Sequence, residues 1–260
     1  MPDFLKADPN VVPRIIADME RQGYAVIEGF LSDEQLETAR NHVKFEVERH
    51  DHEYFAMQGI DAVKGSIFEN ISVSPTVTNL FRQIYETGMG TPPRSPDIFP
   101  ALRCLQGKTG KRESYYFHYD AAALTALIPL VIPTEGRYCG DFICFPNLRP
   151  IRKNLYFNVL EKAVMQNTLT QKLVTFAVKR GWLKPTTIKI QPGNAYFFWG
   201  YRTLHANEPC DPKVLRSTVL FHYGEPHSRD NLVSRIFLGW NFKRARAINE
   251  RTLRKEPSQG

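Results

Sequence analysis

Two residues stand out for chemistry in this 260-residue chain: His118 and Asp120, in the string YYFHYD. Read as a strand, the string puts both side chains on one face, because successive residues of a strand alternate. A neutral imidazole beside a carboxylate offers two metal ligands, one of intermediate and one of hard character. A second imidazole completes a two-histidine, one-carboxylate set that leaves three positions of an octahedral Fe(II) open. Three open positions suit a reaction that must bind a bidentate co-substrate and dioxygen together. The third ligand has to come from a distant strand on an opposing sheet. His205, in GYRTLHANEPC, is the candidate: it follows a strong strand signal, QPGNAYFFWG, and opens a polar loop at the rim, where sites tend to sit. An HxD pair alone is weak, since such pairs occur by chance, and a lone histidine is more often a satisfied core or rim residue.

Arg216 adds weight. It lies eleven residues after His205 and begins RSTVLFHYG, so a strand can return it to the same cavity. Period-two alternation places Arg216, Thr218, Leu220 and His222 on one face. A permanent charge inside a β-barrel is costly unless paired. A ligand carboxylate held bidentately by the guanidinium meets that need, with the Thr218 hydroxyl as a further donor. An internal pair with an Asp or Glu is the competing explanation.

The elements that must position these residues can be read along the chain. Pro13 to Gln22 has Ile15, Ile16 and Met19 at helical spacing and Gly23 as its stop. Tyr24 to Phe30 follows as a strand. Ser32 then caps a second helix that runs to about His50, with Gln35 completing a capping box and Leu31 stapling to Leu36. His42, His50 and His52 fall on its charged end and are expected to be solvated. Asp51 to about Ser74 reads as loop, Val77 to Tyr85 as a short helix, and the proline-rich 91–100 as a surface crossover. From Ala101 the pattern is β, with candidate strands ALRCLQ, SYYFHYD, ALTALIPLVIP, GDFICFP, TTIKIQ, AYFFWG and LRSTVLFHYG. Seven such runs separated by turns predict an antiparallel sandwich or open barrel. Residues 152–181 interrupt the rhythm as a helical insertion with Lys and Arg at both ends, and 243–260 form a basic tail.

A chain of this length buries one substantial core, and one domain over 1–260 is expected. Its division is an N-terminal helical and strand region (1–100), a β core (101–242) carrying the insertion, and the tail. The 42% hydrophobic content is that of a folded protein. No run approaches the roughly 20 apolar residues of a membrane span, and MPDFLKADPN lacks the features of a secretory signal. Cys104, Cys139, Cys144 and Cys210 form no CxxC pair and read as free thiols in a reducing cytoplasm. The net charge of +7 favours an anionic partner without choosing one.

These motifs, in this order, resemble the phytanoyl-CoA dioxygenase-like branch of the 2-oxoglutarate/Fe(II) oxygenases. QGYAVIEGFLSDEQLETAR is similar to the branch's opening strand and helix, and HYD to its metal motif. EGRYCGDFICFPN resembles the segment leading to the cavity rim, PGNAYFFWGYRTLHANEP the strand delivering the distal histidine, and RST the oxoglutarate-binding arginine with its hydroxyl. The resemblance covers about two-thirds of the chain, and its specificity is in the set rather than in any one motif. It implies a double-stranded β-helix of jelly-roll, cupin-like form: mainly β, with flanking helices and a helical insertion. It also implies Fe(II) on His118, Asp120 and His205, with 2-oxoglutarate chelating the iron and held at its far carboxylate by Arg216. O2 would be consumed with formation of succinate and CO2 as a hydrogen is removed from the substrate. Thr125, on the strand after HYD, and Arg103 are further expected contacts of 2-oxoglutarate. Arg103 and Gln106 alternate poorly, so only one should face inward. Tyr116 shares the face of His118, His222 is expected to be a hydrogen-bonded core residue, and His227 a loop residue. Related halogenases replace the motif's carboxylate by a small residue, and Asp120 argues against that reaction.

The insertion departs from the family pattern. Leu155, Phe157, Val159, Leu160 and Val164 crowd together, with Arg152, Lys153, Lys162, Lys172, Lys179 and Arg180 around them. It either packs on the sheet or forms a basic gate for an anionic, lipid-linked substrate at the inner membrane surface. FWGYRTLHANEPCDPKVLRSTVLFHYGEPH most resembles the Kdo 3-hydroxylases, which oxidise the acidic sugar of lipopolysaccharide. Amino-acid and secondary-metabolite hydroxylation remain alternatives. A nucleic-acid demethylase is disfavoured, because the arginine-rich motif such enzymes carry after the distal histidine is missing from RSTVLFHYG. A non-enzymatic β-sandwich binding protein is the rival from outside the class.

Overall fold

The structure is a computed structural model that describes residues 10–110, 114–135, 139–150, 164–165 and 167–224. Helix α1 (Val11–Gln22) stops at Gly23 as its pattern predicts. Strand β1 is shorter than expected, Ala25–Ile27. Helix α2 (Asp33–Arg49) carries the complete capping box, with Ser32 Oγ accepting from Gln35 N and Gln35 Oε1 accepting from Ser32 N. The stretch expected as loop is structured instead: β2 (Phe55–Gln58), a 3-10 turn (Ile60–Val63) and α3 (Ile67–Val73). Its elements are too short for sequence periodicity to reveal. Helix α4 (Pro75–Met89) outruns its prediction at both ends, with Pro75 at its first turn. The proline-rich crossover leads into β3 (Phe99–Leu105).

His50 corrects another expectation. It is buried, not solvated: Nδ1 lies 2.7 Å from the Glu46 carbonyl and its ring stacks on Phe55 at 4.1 Å. His42 also turns inward, its ring edge-on to Phe68, and only His52 is exposed at the helix end.

After a helical turn α5 (Gly107–Gly110) come β4 (Leu124–Val131), β5 (Phe142–Phe145), α6 (Thr168–Lys179), β6 (Thr186–Ile188), β7 (Ala195–Trp199), β8 (Leu204–Asn207) and β9 (Arg216–Tyr223). They build two antiparallel sheets, a larger one in the order β1-β7-β4-β9-β3-β2 and a smaller one in the order β6-β5-β8. The strands of the larger sheet read as continuous apolar runs because both faces are covered. Ala126, Ile128, Phe197, Trp199, Val219 and Phe221 join the helices in one core, while Leu127, Tyr196 and Phe198 face Phe142, Cys144 and Ile188 of the smaller sheet. On β9, Ser217, Val219, Phe221 and Tyr223 take the helix side, which leaves Arg216, Thr218, Leu220 and His222 for the space between the sheets.

Two predicted elements differ where they matter most. SYYFHYD is not a strand: it is an irregular segment with Tyr115 at φ 55° and a single bridge, His118 to His205. His205 lies on β8 rather than in a loop. The insertion contributes α6, whereas 151–163 and 166 fall outside the described residues, as do His227 and the basic tail. No helix among the described residues is long and apolar enough to cross a membrane. The four cysteines are free thiols, with Cys104 and Cys144 fully buried.

Candidate functional site

The bridge between His118 and His205 is reciprocal: each backbone N–H donates to the other's carbonyl, at 2.9 and 3.0 Å. It brings the irregular segment against β8 and sets the two rings 4.4 Å apart. Asp120 is pinned two residues on, its N–H donating to the Gly200 carbonyl at 2.9 Å. His118 and Asp120 therefore reach a common point without lying on a regular strand, because successive backbone bonds to β8 and to the end of β7 hold them.

The imidazole tautomers follow from their partners. His118 Nδ1 lies 2.9 Å from the Tyr116 carbonyl, and His205 Nδ1 lies 3.0 Å from the Thr203 carbonyl. A carbonyl only accepts, so each Nδ1 carries the proton and each Nε2 presents a lone pair. These Nε2 atoms lie near Asp120 Oδ1, at 3.7 Å for His118 and 3.5 Å for His205. The three ligand atoms lie within 4.8 Å of one another, and the buried His205 Nε2 has no hydrogen-bond partner. Three lone-pair atoms converging with no proton to share fit a cation. Outward-turned Nδ1–H groups bonded to carbonyls are also how metal-binding histidines are usually oriented.

Electrostatics keep the donors in their binding forms. Burial, then the neighbouring His205 ring, pushes His118 down to about 3. Burial opposes ionisation of Asp120, but the imidazoles of His205, His222 and His118 outweigh it and hold the carboxyl well below its usual range. Burial lowers His222 as well.

The other oxygen of Asp120 is occupied. Thr125 Oγ1 donates to Oδ2 at 2.6 Å, so His222 Nδ1, 3.0 Å from that hydroxyl, is the donor to it. Thr125, expected to meet 2-oxoglutarate, is thus a partner of Asp120, and His222 has the hydrogen-bonded role expected of it. Gly200 makes room for this cluster: a Cβ there would collide with Asp120 Oδ2 and come within 2.6 Å of Thr125 Oγ1.

Arg216 is buried to 3% exposure at the start of β9, where Nε donates to the Gly140 carbonyl at 2.6 Å. Gly140 is needed twice over, by its φ of 73° and because a Cβ would press on Arg216 Cδ and approach Nε to 2.7 Å. Among the described residues no carboxylate pairs with Arg216, so the internal ion pair is not formed there. Burial and the nearby Arg103 charge pull its guanidinium down to about 10. Arg103, opposite Thr218 in the β3–β9 register, is the member of the Arg103/Gln106 pair that faces this space, since its charge also acts on His118 and His222. The space between the sheets thus has a three-donor centre and a cationic side built from Arg216 and Arg103, with buried Thr218 opposite Arg103 and two residues along β9 from Arg216.

No family model and no curated protein matches the sequence. Solved structures do match. A Pseudomonas putida prolyl-4-hydroxylase superimposes with a TM-score of 0.53 at 10% identity, over 83% of this chain and 99% of its own. A prolyl hydroxylase from Trichoplax adhaerens, in complex with a hypoxia inducible factor peptide, gives 0.55 at 13% identity over 86% and 94%. The epimerase SnoN, in complex with Fe3+, alpha ketoglutarate and nogalamycin RO, gives 0.53 at 18% identity over 84% and 85%. The fold is the jelly roll of the 2-oxoglutarate oxygenases. At such identities the oxygenase fold is all the likeness establishes, and activity has to be argued from the side chains.

Four residues of the site carry no signal that singles them out in the sequence. Gly140 and Gly200 look like ordinary turn glycines. Arg149 is a lone cation in a loop, yet its guanidinium lies 3.8 Å from the Tyr119 ring and 4.5 Å from the Tyr201 ring, with Nε donating to the Tyr201 carbonyl at 2.7 Å. Gln171 of α6 holds the other end of the HYD segment, accepting from Phe117 N at 3.0 Å and donating to Phe117 O.

Proposed function

We propose that this chain is an Fe(II)- and 2-oxoglutarate-dependent oxygenase, with His118, Asp120 and His205 as metal ligands and Arg216 as the anchor of the co-substrate. One observation carries the reading: three lone-pair atoms converge between the sheets, and one of them is a buried, unpartnered His205 Nε2. The donor set, two imidazoles and one carboxylate, is the one that suits non-haem Fe(II) with open positions. When bound, iron with 2-oxoglutarate supplies the oxidising power to remove a hydrogen from an unactivated C–H. The chain's own work is orientation and exclusion of water. Backbone carbonyls fix both histidine tautomers, Thr125 occupies the second oxygen of Asp120, and Arg216 offers its remaining donors to a carboxylate beside Thr218. Arg103 adds positive charge to the same wall.

For the substrate we favour hydroxylation of an aliphatic C–H in an anionic molecule, the Kdo sugar of lipopolysaccharide being the first candidate. The resemblance of the 198–227 stretch to Kdo 3-hydroxylases and the net charge of +7 support it. Amino-acid and secondary-metabolite hydroxylation are the alternatives within the class. The likeness to SnoN makes stereochemical inversion at the attacked carbon a second outcome, which product analysis separates from hydroxylation.

The reading is tested by anaerobic titration with Fe(II) and 2-oxoglutarate, followed by succinate release in air. His118→Ala should abolish iron binding and turnover. Arg216→Ala should leave iron binding in place and raise the half-saturating 2-oxoglutarate by about tenfold or more, as expected for a lost charge-assisted pair worth about 1.5–3 kcal/mol. Succinate formation that needs neither iron nor His118 would remove the chain from this class, and an unchanged half-saturation would make Arg216 structural.

A further inference from the structure

Helix α6 has two different faces. One holds the site: Gln171 clamps Phe117, Thr175 Oγ1 donates to the Tyr115 carbonyl at 3.3 Å, and Val174 and Val178 pack on the Phe117–Leu204 cluster. The other is apolar and uncovered. Leu169, Leu173 and Phe176 follow at spacings of four and three, one stripe of a helix, and are 66%, 59% and 46% exposed. Trp182, 72% exposed, extends the stripe past the helix end with its ring edge-on to Phe176 at 5.5 Å, and Leu183 follows. Of the ten large hydrophobic side chains exposed among the described residues, six lie between Val164 and Leu183. Scattered single hydrophobics need no explanation, but a concentration of this kind marks an interaction surface.

Charge identifies the partner. Lys172, Lys179, Arg180 and Lys184 are exposed around the stripe, and the sequence has no Asp or Glu from residue 162 to residue 207. A second copy of this face would set like charges against each other. So would the chain's own tail, which from 243 to 255 carries six basic residues against one Glu. An apolar stripe with an aromatic residue, ringed by cations and free of acids, fits the interface of a bilayer with anionic headgroups, in which a helix lies flat with its stripe a few ångströms deep. We infer that α6 and the 180–184 turn form a docking surface for anionic lipid membranes. Docking there sets the segment that carries His118 directly behind the membrane-bound helix, so that substrate arrives from the lipid side.

The probe is flotation of the full chain with vesicles of phosphatidylcholine alone and of phosphatidylcholine mixed with phosphatidylglycerol. The chain should float with the mixed vesicles about tenfold better or more, and lose them as salt is raised, because each cation near the surface contributes separately. Leu173→Ser/Phe176→Ser and Lys172→Gln/Lys179→Gln/Arg180→Gln should each weaken flotation about tenfold or more with the melting temperature unchanged, all five side chains being exposed. Equal flotation with both vesicles, or flotation indifferent to both variants, would overturn the inference. So would a dimer in sedimentation that Leu173→Ser/Phe176→Ser dissolves, since the stripe would then be a self-interface. Neither iron nor 2-oxoglutarate enters the assay, so its failure is distinct from failure of the oxygenase reading.

Discussion

A carboxylate binds a metal through one oxygen in a fixed direction only if its other oxygen is held. In this chain a hydroxyl does the holding: Thr125 donates to Asp120 Oδ2, His222 orients Thr125, and Oδ1 is left facing two imidazole lone pairs. The relay survives because Gly200 has no side chain, for any Cβ there would clash with Asp120 Oδ2 and lie only 2.6 Å from Thr125 Oγ1. Gly200→Ala should therefore displace the carboxylate while leaving all three proposed ligands in the sequence. We expect Fe(II) affinity to fall about 10- to 100-fold, the usual cost of disturbing groups that orient ligands, with an overpacking penalty of about 1–3 kcal/mol in denaturant unfolding. Iron titration of the folded variant checks it. An affinity equal to that of the unaltered chain would mean that Asp120 is free to move and that Thr125 does not position it.

One edge of the candidate metal site, the HYD segment, lies outside regular secondary structure, and this sets what could be read from the sequence. Strands β4 and β9 are legible because they are buried on both faces and run for eight residues each, and α2 because its capping box is written in Ser32 and Gln35. The face shared by Arg216, Thr218, Leu220 and His222 followed from alternation alone. The HYD segment has the apolar and aromatic composition of a strand, but Tyr115 turns the backbone and only His118 pairs. The strand of His205 leaves little trace in the sequence, because LHAN is four residues long and comes just after a turn. The charged neighbours of His50 point it to solvent, and only the tertiary stacking on Phe55 reverses that. The grip on the HYD segment comes instead from outside it, Gln171 at Phe117 and Arg149 at Tyr119, neither of which any local pattern reports. Arg149 ties Tyr119 to Tyr201, joining the segment to the turn after β7. Arg149→Ala should loosen residues 115–120 and 200–203 together, at a cost of about 2 kcal/mol for a buried cation stacked on aromatic rings. Amide exchange should rise in those two stretches while β4 and β9 keep their protection. Protection lost evenly across the larger sheet would instead make Arg149 a general core residue.

Burial of titrating groups between and beside the sheets gives the whole chain a pH window of stability. His118 has a folded value of about 3 against 6.5 when unfolded. Below pH 6.5 the unfolded chain takes up a proton that the native site refuses, so stability present above 6.5 is lost as pH falls toward 3. His222 is lowered in the same sense and adds to the loss, as does Asp120, whose depressed value removes stability at still lower pH. His118 alone accounts for about 2 kcal/mol by pH 5. On the alkaline side, burial pushes the thiols of Cys104 and Cys144 up to about 12 from 9.0. Above pH 9 the unfolded chain releases these protons while the native state keeps them, so stability present below 9 is lost as pH climbs to 12. By pH 10 each thiol accounts for about 1 kcal/mol. Denaturant unfolding of chelator-treated protein should therefore give its highest stability between pH 6.5 and 9, with a decline on each side. Fe(II) should flatten the acid limb, since the metal competes with protons for the same lone pairs and binds only the native site. A metal-free chain as stable at pH 5 as at pH 7.5 would mean that His118 and His222 are open to water, and the cavity would be too wet for the chemistry assigned to it.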